Sequence, residues 1–364
     1  MNAVRLSPKV RRNIARIIPF GVIWFLMGNL FLFIELTAID DTHAVPTSAI
    51  QLDFQIYIFA ILAVSVVGLL VGTIEVLYLN NKFTSKSLTQ KITIKTIIYG
   101  LFLFVTIQIT FPIAASMELN TSMLDARVWD KYLLFITSKT YFSTNVQLAV
   151  ELIVSLFYFE ISENMGHNIM INFLSGKYHR PTQENRIFMF LDMKSSTTIA
   201  EKLGHIRYFE FLKTYYNDLS DSIIQCEGEI YQYVGDEVII SWPLKKGITN
   251  HNCIRCFQSM KEALQKRSGF YLKTYGVHPS FKAGLHYGAV TTGEIGALKK
   301  EITFSGDTLN ATARIQSLCN EYGVDMLLSE DLIAILPSTS EFNFRSLGKS
   351  ELRGLKENIE LFTI

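Results

Sequence analysis

Residues 186–193 read RIFMFLDM, and residues 229–242 read EIYQYVGDEVIISW. The first is an unbroken apolar run ending on Asp192, the pattern of a strand buried on both faces. The second holds two short strand runs joined at Gly235-Asp236, the pattern of a hairpin. One long helical segment separates them, with Phe211, Leu212, Tyr215, Leu219 and Ile223 recurring at three and four and Gly228 ending the run. Strand, helix and hairpin in that order bring Asp192 and Asp236 to one end of neighbouring strands. Carboxylates so placed suit a hard divalent cation such as Mg²⁺, the usual companion of nucleoside triphosphates. Asp236 alone would be ordinary in a Gly-Asp turn, but an acid closing a buried run needs a partner.

Upstream of this stretch the composition changes. The chain has 364 residues, enough for two domains, and only 18 % of them are charged. A net charge of +1 gives no field that would draw nucleic acid. The apolar excess lies before Ser162, in segments Ile17–Ile39, Phe54–Leu79, Ile92–Met117 and Asn145–Ile161. The first three each hold an uncharged run near or above the roughly 18 residues that cross a bilayer; Glu151 and Glu160 interrupt the fourth. Arg5, Lys9, Arg11, Arg12 and Arg16 precede the first segment without an acid, and Lys82, Lys86 and Lys91 follow the second. Between the first two stand Asp40, Asp41 and Asp53 with no Lys or Arg, and Lys177 and Arg180 follow the fourth. This alternation predicts four spans over 1–161 in a multi-pass cell-membrane protein, with the N-terminus and second half cytoplasmic and 118–144 facing outward. Membrane lipid is then one partner. The first run is too long for a cleavable signal and lacks a small-residue cleavage site. Glu75 is expected to snorkel to the cytosolic interface and Glu151 to sit near the outer one.

Residues 162–185, SENMGHNIMINFLSGKYHRPTQEN, form the joint. Met165, Ile169 and Phe173 recur at helical spacing, so the last span should continue as a cytosolic helix until Gly176 and Pro181 stop it. Such a helix could pass movements of the spans to the second half. His167 and His179 lack companions at ligand spacing and read as linker residues. Cys226, Cys253, Cys256 and Cys319 all follow the joint, and the one CxxC lies in a helical pattern with no second pair. They read as reduced core thiols.

Residues 186–364 read as one α+β domain. Ser195–Thr198 supply an N-cap for the long helix, a second helix covers about 252–273, and PSFKAGLHYGAVTTGEIG follows as a strand. ITFSGDTLNATARIQSLCNEYG reads as a loop entering a helix, and MLLS, FNFRSLG and ELFTI as closing strands. The hairpin makes the sheet mixed rather than doubly wound, and there is no Walker A sequence and no GxGxxG after a strand.

FLDMKSSTTIAEKLG, YVGDEVIISWP, FKAGLHYGAVTTGEIG and FSGDTLNATARIQ stand in the order and spacing of class III adenylate/guanylate cyclase catalytic domains. The second half resembles that family over about 185–364. The resemblance implies a ferredoxin-like palm that works as a homodimer, with the nucleoside triphosphate at the subunit interface. Asp192 and Asp236 match the metal aspartates, which would hold two Mg²⁺ or Mn²⁺ ions per site with the Met193 carbonyl. The ribose 3′-oxygen would attack the α-phosphorus in line, and pyrophosphate would leave. Asn310 matches the residue that orients the ribose, and Arg314 the one that stabilises phosphate charge. Four apart on a helix, they share a face. The family draws this pair from the chain opposite the metal aspartates. Arg353, with Lys356 nearby, stands where the family has a triphosphate-binding lysine.

The base-selecting positions depart from the common pattern. Gln232 replaces the usual lysine of adenylate cyclases, and Thr303 replaces the usual aspartate, as in one adenylate cyclase subclass. Both side chains donate and accept, so they exclude neither purine. ATP is the expected substrate, with GTP or a pyrimidine triphosphate as alternatives. A silent membrane receptor with a cyclase-like dimerisation domain is the alternative of another class. Retention of all four matched residues speaks against it. VGDEV also differs from the GG[DE]EF turn of diguanylate cyclases.

Overall fold

The computed structural model describes residues 6–38, 48–83, 86–351 and 358–364. They form two compact units, one over Val10–Ile171 and one over Asn172–Ile364 together with residues 6–9.

The first unit contains α1 (Pro8–Ala38), α2 (Phe54–Ile74), α3 (Leu88–Glu118), α4 (Ala126–Ile136) and α5 (Lys139–Met165). Four of these, α1, α2, α3 and α5, are long and apolar enough to cross a membrane. Small residues let them approach: a Cβ on Gly68 would meet Trp24 Cγ at 2.5 Å, and one on Gly72 would meet Phe20 at 2.8 Å. Trp24 and Phe20 thereby join Val71, Tyr99, Leu156 and Phe159 in one core. The short α4 was not foreseen within 118–144; its Val128 and Phe135 pack on Ile107 and Phe111.

The expected positions of Glu75 and Glu151 are corrected. Glu75 is 0 % exposed and Glu151 2 %, so both side chains are enclosed within the helical unit rather than extended from it. A π-helical turn over Glu75–Leu79 follows α2. Lys95 Nζ lies 2.6 Å from Glu75 Oε1 and 2.6 Å from Glu160 Oε1, and the Tyr99 hydroxyl donates to Glu75 Oε2 at 3.1 Å. Lys91 adds a 3.0 Å contact to Glu160. A lysine one helix away supplies a charge partner without the side chain leaving the bundle, and this overrides snorkelling. Gly166, at φ +89°, ends α5, and the chain resumes as the separate α6 (His167–Leu174). The continuous helix expected through the joint is therefore broken there, because a left-handed glycine cannot carry the helical ladder forward.

The second unit follows as β1 (Thr182–Met193), α7 (Ser196–Leu203), α8 (His205–Gln225), β2 (Glu229–Val234) and β3 (Glu237–Pro243). Next come α9 (Leu244–Ile248), α10 (Asn252–Lys266), α11 (Ser268–Tyr275), β4 (Phe281–Ile295), β5 (Glu301–Ser305) and α12 (Asp307–Ser317). The chain ends with β6 (Met326–Ser329), α13 (Glu330–Ile335), β7 (Arg345–Ser350) and β8 (Ile359–Thr363). The sheet order is β2-β3-β1-β4-β6-β8-β7 with β5 on β4, and β4–β6 is parallel while the other pairs are antiparallel. It is mixed, as expected.

Four local expectations change. The long helical segment is two helices, because Gly204 takes φ +74° between α7 and α8. Ser195 is left-handed at φ +56° and makes no side-chain cap. The helix expected over 252–273 breaks at Arg267 into α10 and α11. Residues 301–305 pair with β4 as a strand rather than forming a loop.

The two faces of β1 go different ways. Ile187, Met189, Leu191 and Met193 pack with Phe211, Tyr215 and Leu219 of α8 and Ile254, Phe257 and Met260 of α10. Each such side chain removed from water contributes about 1.5–3 kcal/mol before entropy is counted. Phe188 and Phe190 face the other side, with Ile239, Val290 and the α12 residues Leu309 and Ala313. Asp192 continues this second row by alternation. All four cysteines are buried free thiols, and burial pushes Cys253 up to about 12.

Candidate active site

Asp192 sits opposite Glu237 of β3 and Lys282 of β4. Lys282 Nζ is 3.4 Å from Asp192 Oδ2, and Gln316 Nε2 donates to the same oxygen at 3.2 Å. Burial raises the Asp192 pKa, and the nearby Asp236 carboxylate raises it further against the pull of Lys282. Asp236 occupies the β2–β3 turn after Gly235, which adopts φ +64°. Tyr216 of α8 pins that turn, its hydroxyl donating to the Gly235 carbonyl at 2.9 Å. Glu237 is raised as well, by burial and then by the two aspartates. The arrangement concentrates negative charge at one sheet end, where a divalent cation would relieve both desolvation and repulsion.

The donor chemistry fits such an ion. Asp192 and Asp236 offer hard oxygens, and among the described residues no group of three or more His, Cys, Asp or Glu side chains stands together to hold a metal ion by itself. The remaining positions would fall to substrate oxygens and water. Met193 ends β1 and is buried, with the following Lys194 amide donating to the Ser280 carbonyl at 2.9 Å.

Helix α12 reaches the sheet through two glycines of β4. A Cβ on Gly284 would lie 2.3 Å from Gln316 N, and one on Gly288 would lie 2.4 Å from Thr308 Oγ1. Eight residues of helix and four of strand each advance about 12–13 Å, so the two contacts lie one above the other. Thr308 Oγ1 also donates to the Ala289 carbonyl at 2.8 Å. With Thr308, Ala311, Thr312, Ile315 and Gln316 turned inward, Asn310 is exposed and Arg314 half-buried. At about 100° per residue, Asn310 and Arg314 stand roughly 120–160° around the helix from Gln316. They share a face, and it is not the face that carries Gln316 to Asp192.

Gln232 is exposed on β2, directly after a bulge at Tyr231. Thr303 lies on β5 opposite Gly293. Their neighbours meet: the Tyr231 and Phe304 rings are 4.8 Å apart, and the Phe304 amide donates to the Tyr231 hydroxyl at 3.4 Å. Arg186 lies over the Phe304 ring at 4.7 Å, and Phe188 meets it edge-on at 5.4 Å. Sequence reasoning missed this floor of Arg186, Phe188, Tyr231 and Phe304, as well as Lys282, Gln316 and Tyr216. All of these except Tyr216 stood inside segments already quoted, but nothing local showed which of their residues would meet. Arg353 and Lys356 lie outside the described residues.

Residues 179–364 match the family described as the adenylate and guanylate cyclase catalytic domain. The chain belongs to that family. Its cyclase domain includes every motif described above. Adenylate cyclase 2 of Rhizobium meliloti (strain 1021) is 32 % identical over 209 residues, covering 57 % of this chain and 58 % of that protein. An adenylate cyclase of Anabaena cylindrica is 28 % identical over 181 residues, covering 48 % of this chain and 36 % of its own length. The cyclase thus spans little more than half of the first relative and about a third of the second. Among solved structures, a bacterial light-regulated adenylyl cyclase aligns over 64 % of this chain and 67 % of its own, with TM-score 0.53 and 21 % identity. That likeness concerns the fold.

Proposed function

We propose that the protein converts ATP to 3′,5′-cyclic AMP and pyrophosphate at composite sites formed by two copies of the chain. The observation that carries this reading is the orientation of α12: Gln316 reaches Asp192, while Asn310 and Arg314 face away. A single chain holds both halves of a phosphoryl-transfer site but keeps them apart, and a symmetric dimer would unite them twice.

In this reading Asp192, Asp236 and the Met193 carbonyl hold Mg²⁺ or Mn²⁺, two ions per site. When bound, the ions polarise the ribose 3′-hydroxyl and neutralise the triphosphate. Asn310 of one chain orients the ribose, and its Arg314 answers the charge that develops on the α-phosphate oxygens. Gln232 and Thr303 contact the base, and Arg353 and Lys356 bind the leaving phosphates. Lys282 and Gln316 hold Asp192 in place and offset its charge until a cation arrives.

The relatives named adenylate cyclases and the hydroxyl at Thr303 support ATP. The neutral pair Gln232 and Thr303 also favours a second reading with looser base choice, in which GTP or a pyrimidine triphosphate turns over. The four apolar helices and the loop charges support a membrane anchor over 1–161, with 162–185 as the joint and 186–364 cytoplasmic. The deciding experiment incubates membranes holding the protein with each of the four NTPs plus Mn²⁺ and resolves the cyclic products. Cyclic AMP from ATP, lost in Asp192→Ala, supports the proposal. Absence of product from every NTP, or full activity in Asp192→Ala, refutes it.

A further inference from the structure

We infer that the helical unit contains a binding site for a small hydrophobic organic cation. A cavity of about 220 Å³ lies between the last turns of α1, the first half of α2, the second half of α3 and the start of α5. Its wall is mainly Leu, Ile, Val, Ala and Phe, with Phe59, Phe111 and Phe135 supplying aromatic surface. Phe111 and Phe135 stack with centroids 3.8 Å apart, so that part of the wall is preformed. Into this apolar lining α1 contributes one carboxylate, Glu35.

Glu35 is half-buried within a candidate span and has no hydrogen-bond or ion-pair partner among the described residues. In the same unit Glu75 and Glu160 are both paired to Lys95, while the buried Glu151 Oε2, which is not in the cavity wall, also has no partner. A carboxylate inside a span is costly unless something offsets it. The Thr106, Thr110 and Thr144 hydroxyls, also in the wall, donate to the Phe102, Thr106 and Thr140 carbonyls of their own helices. Those three hydroxyls are thereby engaged within their own helices, and Thr140 makes no hydrogen bond to Glu35.

The chemistry of the wall selects the occupant. An inorganic cation would find one carboxylate and a few hydroxyl oxygens among methyl and ring carbons, too few to replace its water. An acyl chain would fill the volume and leave Glu35 without a partner. A protonated amine on an apolar or aromatic body satisfies both parts, since the ammonium pairs with Glu35 and the body lies against the phenylalanine rings. The volume accommodates a ligand on the order of ten heavy atoms. The cavity lies at the end of the bundle opposite the one from which α5 leads toward the joint, and the inference does not depend on the cyclase reaction.

The test uses the full-length protein in lipid nanodiscs, with 2-phenylethylamine as probe and 2-phenylethanol as its neutral counterpart, read by calorimetry and thermal shift. The amine should bind at least about tenfold tighter than the alcohol. Glu35→Gln should erase that preference, and Ala63→Leu, which fills the cavity, should abolish binding of both. Equal binding of amine and alcohol to the wild type would overturn the inference without any variant. So would no binding of the amine, or amine binding unchanged in both variants.

Discussion

Gln316 donates to Asp192 Oδ2 at 3.2 Å across the junction of α12 and β1. The contact depends on Gly284, where an added Cβ would fall 2.3 Å from Gln316 N, a backbone atom with no rotamer to escape into. Gly284→Ala should therefore lift α12 off the sheet, costing about 2–4 kcal/mol. Urea melts of the whole protein in detergent would measure it, and a loss under about 0.5 kcal/mol would contradict this packing.

The opposed faces of α12 make a complementation prediction. Asp192→Ala and Arg314→Ala should each lower cyclase activity by a factor of about 10² or more. Co-expressed in equal amounts, they should regain about a quarter of wild-type activity, because half the dimers are mixed and each mixed dimer has one intact site. No recovery in dimers shown to be mixed would contradict the composite site.

Asp192 predicts a pH signature. Its raised folded pKa means the fold prefers the neutral acid, so that contribution to stability is present at low pH and lost as pH rises through the raised value. Metal-free Asp192→Asn should then melt above the wild type at neutral pH, with the gap closing toward about pH 4. Mn²⁺ should raise the melting temperature of the wild type and barely move that of the variant. Melting curves with and without EDTA across pH would decide.

Base choice should respond to Gln232. Gln232→Lys places a permanent donor beside the pocket, and we expect ATP-over-GTP selectivity to rise by about tenfold, measured as the ratio of kcat/KM values. Tyr231→Phe, which removes the hydroxyl at the Phe304 amide, should change that ratio while leaving the fold intact. Ratios unchanged in both variants would separate these residues from base recognition.

In the helical unit, Lys95 pairs with Glu75 and Glu160 at 2.6 Å each, and Lys91 supplies the second positive charge at 3.0 Å from Glu160. Lys95→Met leaves Glu75 with only the Tyr99 hydroxyl and Glu160 with only Lys91, and should cost about 3–5 kcal/mol, seen as lost thermal stability in detergent. Adding Glu75→Gln and Glu160→Gln should recover most of it. A triple variant no more stable than Lys95→Met would show that the lysine acts through packing instead.

Much of this protein was legible because its signals are local. Apolar length and loop charge marked four helices, and the run ending on Asp192 with the Gly-Asp turn marked the strand and hairpin that present the two carboxylates. The spacing of Asn310 and Arg314 alone placed them on one helix face. Local signals also failed in a consistent way. Gly166, Gly204 and Ser195 take positive φ, and nothing in composition marks those positions over the other glycines and serines nearby. Glu75 was expected at an interface because nothing in its own helix reveals Lys95 twenty residues on. Lys282, Gln316, Tyr216 and the Tyr231–Phe304 floor act across strands and helices distant in sequence. Only the tertiary structure decided that α12 turns Gln316 toward Asp192 and Asn310 away, because the rotation of a helix on a sheet is set by where two glycines let its backbone come close.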